Sequence, residues 1–70
     1  MNLLKAIIGE TYQIENIITD DEELEQFLFR LGCYSGEEIT VVSKKKKNMV
    51  VSIKDGRYNI DDGIAEAIII

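Results

Sequence analysis

The 70-residue chain has no histidine, no proline, no tryptophan and one cysteine, Cys33. Each absence removes a class of answer. Without histidine there is no imidazole for acid–base work, and no nucleophile has a visible activating base. A structural zinc site normally takes four Cys or His ligands, so none can be built here. One cysteine cannot close an internal disulfide, and an unpaired thiol fits the reducing cytosol. There is no Gly-Lys-Ser/Thr phosphate loop, so the chain should not hydrolyse nucleotides. We therefore expect no catalytic residue, no cofactor and no resident metal.

Long apolar runs are missing too. No stretch approaches the roughly 20 apolar residues of a membrane-spanning helix. Met1 to Gly9 is too short and too weakly basic for a signal peptide. The expectation is a cytoplasmic protein that does not insert into the membrane. Eight Lys and Arg against thirteen Asp and Glu leave a net charge of −5. That balance disfavours nucleic acid, whose affinity comes chiefly from phosphate neutralisation. It equally disfavours anionic lipid surfaces.

With no internal repeat and no linker, residues 1–70 read as one domain. A domain this small buries only about 60% of the surface its unfolded chain exposes. Disulfides and zinc are excluded as supports. A closed or nearly closed β architecture, or association into a homo-oligomer, remains.

The pattern of apolar residues fits the first of these. In "TYQIENII", Tyr12 and Ile14 alternate with Thr11, Gln13 and Glu15, which is the period of a half-buried strand. The period then changes. Leu24, Phe27, Leu28 and Leu31 form one helical stripe, predicting a helix over 20–31. Thr19 with Glu22 has capping-box spacing, and Asp20 is an alternative cap. The acidic run Asp20 to Glu25 suits the positive end of that helix. Gly32 can close it in a left-handed conformation. "EEITVVS" and "NMVVSIK" read as two strands joined by Lys44, Lys45, Lys46 and Lys47 as a hairpin tip. Asp55–Gly56 predicts a two-residue hairpin turn, with "RYNI" returning. Asp61 caps a short helical turn, and "AIII" is a last strand. About five short strands and one real helix give a mostly β fold, a small antiparallel barrel. Closure would also hide the edge offered by Ile68, Ile69 and Ile70.

This order resembles the FeoA family, small SH3-like barrel proteins encoded beside ferrous-iron transport systems. The resemblance rests on Leu4 and Gly9 before the first strand and on Leu31–Gly32 at the helix end. It continues through Ser35–Gly36 before the second strand, the hairpin, "VVSIKDGRYNI", Ala65 and the final "AIII". It covers essentially the whole chain. It implies an accessory protein of transition-metal transport that binds the cytosolic part of a FeoB-type transporter, a membrane partner carrying the GTPase domain. Ser35 stands where the family commonly has proline, which would pre-set the turn angle. SH3-like barrels also occur in ribosomal proteins and as C-terminal domains of metal-dependent repressors. A regulatory or nucleic-acid-binding module is therefore the alternative.

The candidate docking residues sit on turns, where rigid small domains carry binding groups. They are Cys33, Tyr34, Ser35 and Gly36 at the bend, and Lys44, Lys45, Lys46 and Lys47 at the hairpin. Each has a plainer reading. Cys33 is a metal ligand with Glu37, or a small buried hydrophobe. Tyr34 is an interface anchor, or a roof over the barrel. Both glycines have backbone reasons to be glycine. The lysines are a solvated tip that discourages edge pairing, a docking patch for an acidic surface, or a nucleic-acid contact.

Overall fold

In the computed structural model, which describes residues 1–70, the period changes fall where the elements change. A 3-10 turn, Leu3–Lys5, precedes β1 (Thr11–Gln13) and β2 (Asn16–Ile17). Helix α1 (Glu22–Leu31) follows, then β3 (Glu38–Lys44), β4 (Asn48–Ile53) and β5 (Gly56–Asp61). Helix α2 (Asp62–Ala67) and β6 (Ile68–Ile69) end the chain. One antiparallel sheet has the order β1-β3-β4-β5, and a second pairs β2 with β6. The architecture is mostly β with one substantial helix, as the pattern predicts. The barrel is left open, because no ladder joins the two sheets.

The expected single strand across "TYQIENII" is two. Ile14 still belongs to the first sheet: its N–H donates to Glu37 O at 2.8 Å and its carbonyl accepts from Gly36 N at 2.8 Å. Glu15 N–H instead donates to Ile69 O at 2.8 Å. The chain changes partners at that peptide and so turns a corner between sheets. Period two survives the corner, which is why the pattern shows one strand.

Strands β3 and β4 behave as their alternation dictates. Ile39, Val41, Met49, Val51 and Ile53 are buried, while the residues between them are half-buried or exposed. A register shift between Val41 and Ser43 bends the pair. The lysine hairpin is shorter than expected: Lys44 lies in β3, and its Nζ donates to Leu4 O at 3.0 Å. The Asp55–Gly56 turn is displaced by one residue. Ile53 pairs with Gly56, and the turn is Lys54–Asp55, with Lys54 at φ 53°. Gly56 is a strand residue, and a Cβ there would collide with the Tyr58 ring.

Helix α1 begins two residues later than predicted, and neither proposed cap forms. Asp21 is the N-cap, its Oδ1 accepting from Glu23 N at 3.0 Å and Leu24 N at 3.2 Å. Thr19 Oγ1 accepts from Asp21 N at 3.1 Å and so shapes the approach to the cap. The stripe is also narrower than predicted. Leu28 is buried, Leu24 and Leu31 are half-buried, and Phe27 is 44% exposed. The short second helix starts as expected, with Asp61 Oδ1 accepting from Ile64 N at 2.9 Å.

The terminal isoleucines need no closed barrel for protection. On one side β6 pairs with β2. On the other, Asn2 bridges to Ile69 and Ile70 N–H donates to Met1 O at 2.8 Å. No buried side-chain nitrogen or oxygen lacks a hydrogen-bond partner.

Candidate functional site

The bend between α1 and β3 is fixed by its backbone. Gly32 closes the helix at φ 90°, and its N–H reaches Leu28 O and Phe29 O. Cys33 N–H donates to Leu28 O at 2.9 Å, completing the helix end. Glu37 N–H donates to Tyr34 O at 3.1 Å across the turn, where Gly36 takes φ 94°. A side chain would be strained at either glycine, and at Gly32 a Cβ would also lie 2.7 Å from Lys54 Cε.

These constraints send Cys33 and Tyr34 in opposite directions. Cys33 is 1% exposed and part of the core. Burial away from water pushes its thiol up to about 11, so it stays protonated and a poor nucleophile. It offers a partner no free side chain. Tyr34 is half-exposed and packs on Phe29, with ring centroids 4.9 Å apart and planes 32° apart. Lys54 reaches over from the β4–β5 turn, with Nζ 6.0 Å from the Tyr34 centroid. That Nζ also lies 3.4 Å from Glu37 Oε1. Glu37 thus faces a lysine and not the thiol. Nowhere do three or more metal-binding side chains converge.

Phe29 is the residue that the sequence reading missed. It lies beside Leu28, off the apolar stripe, and is 63% exposed. A shallow groove of about 250 Å³ is lined by Asn16, Ile17, Glu25, Phe29, Cys33, Tyr34 and Ser35. A second hollow, of about 280 Å³, is lined by Glu25, Gln26, Phe29 and Arg30. Phe29 and Glu25 line both. The signal of Phe29 in the sequence was a large aromatic where the helical period calls for a polar residue.

The structure does not bring the two candidate sets together. The bend feeds the start of β3, and the lysines follow its end. Seven strand residues span about 20 Å at roughly 3.3 Å each. Lys45, Lys46 and Lys47 are exposed there, while Lys44 is half-buried on Leu4 O. One end of the molecule is therefore aromatic and the other basic.

The family model of the FeoA domain matches residues 1–70. No curated protein matches the chain in sequence. Among solved structures, an iron uptake regulatory protein (FeoA) is 22% identical with a TM-score of 0.86. The match covers 97% of this chain and 91% of that one. A zinc complex of FeoA from Stenotrophomonas maltophilia, a procaryotic SH3 domain protein, is 19% identical with a TM-score of 0.87. It covers 99% of this chain and 87% of the other. A manganese-dependent transcriptional repressor is 17% identical over 97% of this chain, with a TM-score of 0.87. This chain spans 39% of that repressor's length. At such identities the likeness is one of fold, and the fold is SH3-like.

Proposed function

Because this chain belongs to the FeoA family, we propose that it is a non-catalytic accessory of ferrous-iron transport that docks on the cytosolic part of a FeoB-type transporter. The observation that carries the docking face is the exposed Phe29–Tyr34 pair on a backbone fixed by Gly32 and Gly36. Aromatic side chains on a rigid support concentrate binding energy at interfaces. Cys33 supports the bend from within, and Ser35 and Gly36 form its exposed rim. Lys45, Lys46 and Lys47 are a separate contact that steers an acidic surface of the transporter.

The absence of catalysis is supported by the residues at hand. There is no histidine, and the only thiol is buried and protonated. A cytoplasmic location follows from the same reading. No helix is long and apolar enough to cross a membrane, and in this reading the membrane-embedded step is assigned to the partner. The Stenotrophomonas protein was solved with zinc, whereas this chain gathers no ligand set that would hold a metal tightly.

The test is binding of the full chain to the immobilised cytosolic part of a FeoB-type transporter, with and without guanine nucleotide. Saturable binding that weakens in Tyr34→Ala and Phe29→Ala is expected. No binding in any nucleotide state would refute the reading. The repressor likeness favours a second reading, a regulatory module. Binding to a metal-dependent repressor or its operator DNA, with none to the transporter, would select it.

A further inference from the structure

The longest unpaired edge in the molecule is β5, which stands last in its sheet. Amides along a strand point alternately to its two sides. Ile53 pairs with Gly56 across the hairpin turn, and Asp62 N–H donates to Lys47 O at 3.1 Å. The even-numbered residues therefore face β4, and the N–H groups of Arg57, Asn59 and Asp61 face away from it. No other strand lies on that side. The side chains of these three residues are exposed, whereas Ile60 is buried and Tyr58 half-buried.

The order of these three residues matters. When β5 is laid antiparallel against a second β5 with Asn59 opposite Asn59, each Arg57 faces the other chain's Asp61. The same register brings together the outward N–H and C=O groups. Tyr58 and Ile60 lie on the other face, where Ile60 is already buried in its own core, so the charged face sets the register. Charged residues on an edge usually serve to prevent pairing. Here they permit one register. A parallel, in-register pairing sets Arg57 against Arg57, and a two-residue slip leaves at least one charge unmatched.

We propose that β5 is a homodimer interface, in which two copies of this chain join their four-stranded sheets edge to edge around a two-fold axis through Asn59. The contact is isologous, so it closes on itself and does not propagate. Five paired residues make a contact below the roughly 1,000 Å² of a stable interface. The dimer is accordingly weak and depends on concentration. This inference does not rest on the transporter reading.

The test is sedimentation velocity on the full chain across micromolar to roughly millimolar concentrations. The wild type should pass from monomer to dimer. Arg57→Glu sets two acids opposite each other twice, and should weaken association about 10-fold or more. Asp61→Lys should do the same, and a mixture of the two variants should recover a heterodimer, since each new charge then meets its opposite. Asn59→Pro checks the backbone independently of charge and of the Asp61 helix cap. It deletes an outward N–H while leaving the β4 ladder intact, and it should abolish the dimer with an unchanged circular dichroism spectrum. A wild type that stays monomeric up to about 1 mM would overturn the proposal. So would a dimer that persists in folded Arg57→Glu and Asn59→Pro.

Discussion

Leu28 and Phe29 are neighbours in the chain with opposite environments, and replacing each by alanine separates core from site. Leu28 is the one fully buried residue of α1 and is 1% exposed. Leu28→Ala removes three carbons, a transfer loss of about 2.4 kcal/mol at roughly 0.8 kcal/mol per buried CH₂. The cavity left behind raises the cost into the range of about 2–5 kcal/mol. A 70-residue domain has only about 3.5–10 kcal/mol in total, at roughly 0.05–0.15 kcal/mol per residue. Leu28→Ala therefore removes a large share of the stability, and α1 should loosen first, because its other contacts with the core are only half-buried. Phe29 is already largely in water. Phe29→Ala forfeits its packing on Tyr34, worth about 0.5–1.5 kcal/mol for an aromatic pair, and leaves no hole.

Urea denaturation followed by circular dichroism measures both variants, and hydrogen exchange locates the loss. The expected result is a much lower midpoint for Leu28→Ala with lost protection across α1, and a midpoint near wild type for Phe29→Ala. Transporter binding should show the reverse order at concentrations where both are folded. A cost for Leu28→Ala below about 0.5 kcal/mol, the usual size of a surface effect, would refute the placement of the helix on the barrel. A larger cost for Phe29→Ala than for Leu28→Ala would refute the division between core and docking face.

Tyr34→Ala should mainly speed dissociation from the transporter, since interface truncations act chiefly on the off-rate; surface plasmon resonance separates the two rates. Lys45→Glu with Lys46→Glu should slow association and flatten its salt dependence, with little change in dissociation. Cys33 has its thiol raised above the ordinary value by burial, so the folded state holds its proton longer than the unfolded chain does. The stability this gives is complete below about pH 9 and is lost as pH rises toward about 11. Cys33→Ala should flatten that alkaline decline in urea midpoints, and the native wild-type thiol should resist a thiol reagent at pH 7 until the protein unfolds. Gly32→Ala should cost at least about 1–2 kcal/mol, the penalty for a left-handed residue with a Cβ, since Lys54 must also move; a neutral effect would dismiss the cap as described.

Much of the fold was legible because local chemistry and global position agree. Ile39, Val41, Val51 and Ile53 alternate in the sequence and are buried in the structure. Asp61 looks like a cap and is one. Misplaced features lay where two local solutions are nearly equivalent. Thr19, Asp20 and Asp21 can each cap a helix, and only the approach of the chain decides among them. Gly56 suggested a turn residue, but its lack of a Cβ makes room for Tyr58, a relation between side chains that a turn rule does not contain. The corner at Ile14–Glu15 left no mark, because changing hydrogen-bond partner leaves the alternation intact.

The proposed docking face was harder to read, for a physical reason. A core residue is placed by periodicity, but a surface aromatic is defined by departing from it. Phe27 fits the helical stripe and is 44% exposed, whereas Phe29 lies off the stripe, is 63% exposed and lines the groove. Period alone ranks their burial correctly but does not say which ring lines the groove. What separates them is the turn after Gly32, which brings Tyr34 back beside Phe29 and draws Lys54 over Tyr34. The bend is therefore a corner first, and a site only in the proposed docking. Its glycines are required by the backbone, and the surface they create depends on residues outside the bend, on α1 and on the β4–β5 turn. Within "RLGCYSG" itself, Tyr34 is the large side chain that packs beside Phe29, while Cys33 lies in the core and Arg30 borders the second hollow. A partner that recognises this end must read Tyr34 together with Phe29, so the double variant should weaken binding by a different factor than the product of the two singles. Strict additivity in that cycle would mean that the two rings contact the partner independently.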